Sequence, residues 1–391
     1  MYDTIFWLPA WYPTPTNPLS GTFFNEQAAL VSTERKVVIL YLQVRALGKK
    51  DSIKSFGIPT YKNIEIEGSV EGIALEVKIP AFYNQNRWLK ALNHAYDKLF
   101  LKAMKLYGRP GLLHAHGTLF AGLGSHYLSK RYNLPNLITE HHPVVVTDFT
   151  AITAKAFVEA LNYANGVSTV SQHAKRMLML QAQQSSPVVH GNLVDENLFS
   201  LSKEKAEIFH VGWIGYPSLN KDPFTFIKAL AIFKQKSLIK FKASLVIPNV
   251  DGDFSYADIQ QFIDKKDVSE ECTVIKGLEK DKLPRFYNSL SVLVSTSYSE
   301  TFGLVMAEAA ASGIPVFATR SGGAEEVVVP EVGFLVDIQD ADAIAAKLLQ
   351  LAANDKIFIA EQIRSSVISR FGRKVFLAKI IEIYNKIIQS K

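Results

Sequence analysis

The chain has 391 residues, enough for two domains of ordinary size, and its 48% hydrophobic and 20% charged residues fit a soluble globular protein with sizeable cores. No run of about 18 uncharged apolar residues occurs, which excludes a membrane-spanning helix, and the single Cys272 excludes an intramolecular disulfide and points to a reducing compartment. The formal charge of +6 is uneven: residues 1–195 hold 19 basic and 13 acidic side chains, residues 196–391 hold 24 of each. A basic first half attracts anionic lipid or a phosphorylated partner, or simply keeps the surface soluble. No basic segment precedes a long apolar one at the start, so no signal peptide is expected and a cytoplasmic protein is.

The first half opens on an apolar strand, Thr4–Leu8. Prolines and Gly21 make Pro9–Gly21 a loop, and Thr22–Val31 follows as the first helix. Lys36–Leu42 is the second strand. Ser52–Ile79 is strand-rich, with no pairing legible. Arg87–Gly108 is a long helix with Leu89, Leu92, Tyr96, Leu99, Ala103 and Leu106 as an apolar stripe, and with Lys90, His94, Lys98, Lys102 and Lys105 on another face. That basic face is either solvated or a contact for an anionic membrane surface. Gly122 and Gly124 suggest a dinucleotide fingerprint, but Tyr127 stands where its third glycine belongs and the pattern lies inside a helix, so a Rossmann oxidoreductase is rejected. His114 and His116 end one strand, and Glu140, His141 and His142 end the next. Sites of parallel sheets form at such strand ends. No further ligand with suitable spacing makes a metal site of Glu140, His141 and His142.

The second half repeats the alternation. Ile208–Ile214 is a strand, Pro223–Phe233 a helix and Ala243–Ile247 a strand. Asp251-Gly252-Asp253 follows, read as a loop rather than as a metal-binding Asp-x-Asp. After Cys272–Lys276, a helix at Lys282–Asn288 leads to Val294–Val328, "VSTSYSETFGLVMAEAAASGIPVFATRSGGAEEVV". Here two strands are each followed by a small-residue loop and a helix N-terminus. Such N-termini present free N–H groups to an anion, and glycine lets a ligand approach the backbone. Glu308, eight residues after Glu300, falls inside the first helix on the side facing back to the loop. An ionised carboxylate there accepts both hydroxyls of a ribose diol.

This stretch resembles the nucleotide-sugar site of the family 4 retaining glycosyltransferases. "SETFGLVMAEAAASGIPV" carries their Glu-x7-Glu signature, and "SGGAEEVV" their Gly-Gly loop followed by glutamate. The resemblance places Glu300, Thr301, Phe302, Gly303, Leu304 and Glu308 at the donor, with Gly322, Gly323, Glu325 and Arg320 nearby. It extends to the opening "WYP…GTF…EQA", where Ser20, Gly21 and Thr22 would lie near the acceptor and the donor phosphates. At Thr139-Glu140-His141 it sets His141, or alternatively His142, beside the transferred sugar, with His116 close by. Gly277 and Leu278 would face the nucleobase. Lys221 matches the lysine that clamps the donor diphosphate, but the family's arginine position holds Trp213, which removes one cation from the leaving group's site.

What the resemblance implies is a GT-B α/β fold. It has two Rossmann-like, doubly wound parallel-sheet domains facing across a cleft: residues 1–198, with the last helix at about 372–391 packing back, and residues 199–371. The implied reaction is retaining, metal-independent transfer of a sugar from a nucleotide sugar to a hydroxyl acceptor, in polysaccharide or glycolipid synthesis. Lys221, Glu300 and His141 would be catalytic, with no cofactor beyond the donor. Partners would be the nucleotide sugar, a sugar or glycolipid acceptor and an anionic membrane surface on its cytoplasmic face, with no nucleic acid. Two alternatives stay open: a non-hydrolysing nucleotide-sugar epimerase, which would not explain the Glu300–Glu308 pattern, and a non-catalytic nucleotide-sugar-binding subunit, which Trp213 favours.

Overall fold

The computed structural model describes residues 4–14, 20–47, 60–66, 70–80, 84–142, 146–202, 208–248, 252–353 and 357–390. The chain divides into two compact units, Met1–Leu193 with Leu377–Lys391, and Val194–Phe376.

The first unit alternates strands and helices in chain order: β1 (Thr4–Pro9), α1 (Thr22–Val31), β2 (Lys36–Leu47), β3 (Thr60–Ile66), β4 (Val70–Pro80), α2 (Gln85–Tyr107), β5 (Leu112–His116), α3 (Leu123–Tyr132), β6 (Asn136–Glu140), α4 (Ala151–Asn162), β7 (Gly166–Thr169), α5 (Gln172–Gln181) and β8 (Val188–Val189). The sheet order is β3-β4-β2-β1-β5-β6-β7-β8, and every pairing is parallel except that of β3 with β4. Apolar runs such as Ile5–Leu8 and Leu112–Leu113 are buried because helices cover both sheet faces. The strand-rich stretch without legible pairing becomes β4, parallel to β2, and β3, which lies outside it with exposed residues at Thr60–Asn63. An edge strand has a single partner and leaves one side to water, which weakens its sequence pattern.

Helix α2 starts where Asn84 accepts a hydrogen bond from Arg87 N at 3.0 Å. It buries Leu92, Ala95, Tyr96, Leu99, Phe100 and Ala103. Leu106 is not part of that stripe. It is 51% exposed, because one turn beyond Ala103 the buried face has rotated toward Tyr107.

The second unit contains β9 (Phe209–Ile214), α6 (Pro223–Lys236), β10 (Phe241–Ile247), α7 (Tyr256–Lys265), β11 (Cys272–Lys276), α8 (Leu283–Asn288), β12 (Val292–Ser295), α9 (Leu304–Ala311), β13 (Val316–Thr319), α10 (Ala324–Val327), β14 (Gly333–Val336), α11 (Ala341–Ala353) and α12 (Ala360–Phe371). Its sheet is parallel throughout, in the order β11-β10-β9-β12-β13-β14. Gly372 separates α12 from the last helix, α13 (Arg373–Gln389). From Leu377 onward that helix belongs to the first unit, burying Ile380, Ile383, Tyr384 and Ile387 at helical spacing.

In each sheet the strand order reverses near its middle, between β1 and β5 and between β9 and β12. Crevices form outside the carboxyl ends of the strands at such reversals. The loops leaving β1 and β5 contain Gly21 and Gly117. Those leaving β9 and β12 contain Lys221 and Glu300.

Candidate functional site

In the second unit three loops are laced together at the carboxyl ends of β9, β12 and β13. Lys221 Nζ lies 2.5 Å from Glu300 Oε1, which also accepts from Ser297 Oγ at 2.7 Å. The pair is largely enclosed, with side-chain exposures of 22% and 11%. Thr296 Oγ1 donates toward the carbonyls of Lys221 and Asp222, at 3.0 and 2.7 Å. Glu300 N donates to Ser321 O at 2.8 Å, and Gly323 N donates back to Glu300 O at 2.7 Å.

That reciprocal bridge explains the glycine at 323. A Cβ there would stand 2.3 Å from the Thr301 carbonyl carbon and 2.4 Å from Phe302 N, so any side chain would part the two loops. Gly322 and Gly303 take left-handed backbone, at φ 91° and 94°. Gly303 is the N-cap of α9 and leaves its first turn without a side-chain cap. Thr301 and Leu304 are half-buried beside it, and Phe302 is buried against Phe371.

Glu308, one turn inside α9, is 4% exposed, and its Oε2 accepts from Tyr287 Oη at 2.9 Å. Burial first, then the neighbouring Glu308 carboxylate, pushes the Tyr287 phenol well up, which keeps Tyr287 a donor. Gly277, at φ 72°, ends β11, with its N–H on Ile247 O at 2.7 Å and half-buried Leu278 next. Glu325 is exposed on α10, and Arg320 reaches Asp337 at 3.8 Å on the surface.

Trp213 is corrected from a candidate at the site to a core residue. It is 1% exposed, and its indole N–H donates to Thr296 Oγ1 at 3.0 Å. As a β9 residue in the same core cluster as Phe226, Leu245 and Val294, it supports the loop of Lys221 through Thr296, which donates to the Lys221 carbonyl. Asp251 lies outside the described residues. Asp253 caps a loop, its Oδ2 accepting from Leu219 N at 2.7 Å. Among the described residues, no group of three His, Cys, Asp or Glu is arranged to hold a metal.

In the first unit His116 and His141 meet at the ends of β5 and β6. His116 Nδ1 lies 3.1 Å from His141 Nε2, and the rings stack at 5.4 Å. Phe23, Phe24 and Trp11 surround His141, while His142 is exposed against Trp11 at 4.5 Å. Glu140 shapes this turn rather than offering its carboxylate outward. Its oxygens accept from the N–H groups of Thr118, His141 and His142 at 2.9, 2.9 and 3.0 Å. Burial first, then neighbouring imidazoles, hold His116 and His141 well below the ordinary histidine pKa, so both rings are neutral near pH 7. Gly21, at φ 73°, is the uncapped N-cap of α1, with half-buried Ser20 and Thr22 on either side.

Sequence reasoning missed a buried polar chain beneath this edge. Trp7 Nε1 donates to Tyr384 Oη at 3.0 Å, which bonds His114 Nδ1 at 2.8 Å. His114 Nε2 meets Thr139 Oγ1 at 2.8 Å, which meets Ser168 Oγ at 2.6 Å. For the last helix, which carries Tyr384, the sequence reading gave only that it packs back on the first domain. It also missed Asn220, whose side chain exchanges two hydrogen bonds of 3.0 Å with the backbone of Ser299. A polar residue in a loop gives no pattern that names its partner.

Residues 199–365 match the family model described as glycosyl transferases group 1. The chain is 24% identical over 269 residues to a D-inositol 3-phosphate glycosyltransferase of Paenarthrobacter aurescens, a match covering 63% of this chain and 65% of that relative. Among solved structures, sucrose-phosphate synthase from Thermosynechococcus elongatus superposes with a TM-score of 0.77 at 20% identity over the whole of both chains. The Anabaena protein HepE, solved in complex with UDP and glucose, gives 0.72 at 19% identity over 98% of this chain and all of its own. These likenesses identify the two-sheet α/β architecture as the GT-B fold.

Proposed function

We propose that this chain, whose residues 199–365 match the glycosyl transferases group 1 family model, moves a sugar from a nucleotide-sugar donor to a hydroxyl acceptor. The observation that carries the reading is the lacing of Lys221, Glu300 and the Gly322–Gly323 loop beside the uncapped N-terminus of α9. Breaking an anomeric C–O bond leaves positive charge on the sugar and negative charge on the diphosphate, so donors fixed on the diphosphate lower the barrier most. Lys221 and the N–H groups at Thr301–Leu304 are those donors. An arriving diphosphate competes with Glu300 for Lys221, and the freed Glu300 carboxylate is then available to sugar hydroxyls. Glu308 takes the ribose diol, with Tyr287 holding its other side.

We take the transfer to proceed with retention and without a bound metal. Asp253 is committed to Leu219 N, which supports reading Asp251-Gly252-Asp253 as a loop rather than a metal-binding pair. A same-face route follows, in which the departing phosphate oxygen takes the acceptor proton. In the first unit, neutral His141 donates or accepts a hydrogen bond at the transferred sugar without carrying charge.

A peripheral membrane contact is the second part of the proposal. Leu101 and Leu106 are 40% and 51% exposed beside exposed Lys102 and Lys105 and half-buried Lys98 on α2, apolar and cationic groups together. Among the described residues no helix is long and apolar enough to cross a membrane.

Thermal unfolding against a panel of nucleotide sugars tests the reading. A matched donor at a hundredfold excess over its Kd adds about 2.7 kcal/mol of stability, and transfer with that donor persists in a chelator. If no nucleotide sugar stabilises the protein or is consumed, the reading fails. Chelator inhibition reversed by manganese would overturn the metal-free part.

A further inference from the structure

We infer that the cavity beside the first unit's β1–β5 reversal takes the acceptor as an uncharged sugar ring, held by Trp88, Phe120 and Asp148. The inference rests on the glycosyl-transfer reading and adds the chemical class of the acceptor. The cavity is about 750 Å³, the size of a one- or two-ring ligand site. It opens among the loop after β1, the carboxyl ends of β2 and β4, the first turn of α2 and the segment leading into α4. Trp11 is shared with the candidate site: it lines the cavity and packs edge-on against His141, with ring centroids 6.0 Å apart.

The lining is aromatic on several sides, with Trp11, Tyr12, Tyr41, Trp88, Phe120 and Phe149. Trp88 and Phe120 approach to 5.3 Å. Phe120 makes this contact from a left-handed backbone, φ 65° and ψ −72°, which bulky residues rarely adopt. Backbone held in such a conformation concentrates at ligand sites, where the surrounding structure enforces it.

Polarity settles the class of ligand. Among the described residues, Asp148 is the one charged side chain in the lining, and no lysine or arginine faces the cavity. A phosphate or carboxylate would therefore meet repulsion and lose its hydration without a cation to replace it. Among the described basic residues, Lys102 and Lys105 lie on the exposed face of α2 instead. The remaining polar lining is neutral: Gln43 and Gln85 carry amides, and Thr150 and Thr153 carry hydroxyls. Amides and hydroxyls both donate and accept, which suits sugar hydroxyls; an ammonium could use only their acceptors, and its attraction to Asp148 is screened because that side chain is exposed. A sugar ring brings an apolar C–H face for Trp88 and Phe120 and a pair of hydroxyls for the Asp148 carboxylate.

The test titrates the full chain with four probes, reading tryptophan fluorescence and calorimetric heat: the methyl β-glycoside of a neutral disaccharide, a hexose 6-phosphate, a hexuronate and a hexosamine. The neutral glycoside should bind at least tenfold more tightly than any charged probe. Trp88→Ala should weaken it at least tenfold, Trp88→Phe should retain most of the affinity, and Asp148→Asn should weaken it several-fold while narrowing the gap to the phosphate probe. The inference is overturned if a phosphate or ammonium probe binds as tightly, if no neutral probe binds, or if Trp88→Ala and Asp148→Asn variants that unfold at the wild-type temperature leave binding unchanged. Neutral-sugar binding without transfer from any donor would count against the glycosyl-transfer reading alone. Transfer to a sugar phosphate, unaffected by both substitutions, would count against this cavity alone.

Discussion

At its strand reversal the first unit gathers four buried histidines, His114, His116, His141 and His190, with Tyr384 and Trp7, and no ion pair among them. At the matching place the second unit sets a lysine against a glutamate and uses glycines to bring loops into contact. Burying charge without a partner is too costly for either solution to ignore. The first avoids the charge by keeping imidazoles neutral; the second keeps the charge and pairs it. A neutral edge suits hydrogen bonding to hydroxyls, and a paired lysine beside a helix N-terminus suits exchange onto an arriving diphosphate.

The largest expected effect attacks the paired side. Lys221→Ala should lower turnover about 10²- to 10³-fold, the scale of losing one donor to developing negative charge. Lys221→Arg should keep part of the rate, because charge survives while geometry changes. Normal turnover by the alanine variant with a matched donor would remove Lys221 from the chemistry.

Acid should separate the two units next. Each buried imidazole has a folded pKa below its unfolded value, so between those two values the unfolded chain binds more protons and stability falls as pH falls. For His190, brought to about 4 mainly by burial, the window runs from about 6.5 down to 4 and is worth about 3 kcal/mol. His114, His116 and His141 are shifted in the same direction. The second unit has only His210, also lowered to about 4 by burial. Hydrogen exchange followed from pH 7 to 4 should therefore show protection failing in the first unit before the second. Equal losses in both would break the comparison.

Glu308→Ala should weaken nucleotide binding by about 1–3 kcal/mol, the range for hydrogen bonds to a charged group. It should also leave the Tyr287 hydroxyl without its carboxylate partner. Unchanged nucleotide affinity by calorimetry would sink the ribose assignment. The smallest effect per residue concerns α2. Replacing Lys98, Lys102 and Lys105 with Gln should cost roughly 1 kcal/mol per well-placed cation in binding to anionic vesicles. Wild-type protein that never pellets with such vesicles, even at low salt, would end the membrane proposal and leave the sugar-transfer reading intact.

Strand and helix alternation, the strand-end positions of His116 and His141, and the helix N-termini at Gly21 and Gly303 were all legible from the chain. Each follows from local periodicity and from glycine's tolerance of left-handed backbone. Long-range partners were not. The Arg-to-Trp departure at Trp213 reads as a missing cation, and only the structure shows its indole in the core, donating to Thr296. Lys221 and Glu300, 79 residues apart, give no sign in sequence of their ion pair. His114 bonds Tyr384 across 270 residues, and that bond exists only because the last helix lies against the first sheet. The aromatic cavity draws its walls from separate loops, strands and helices. Periodicity records which face of an element is apolar; which distant polar group arrives to meet it is decided only when the sheets close.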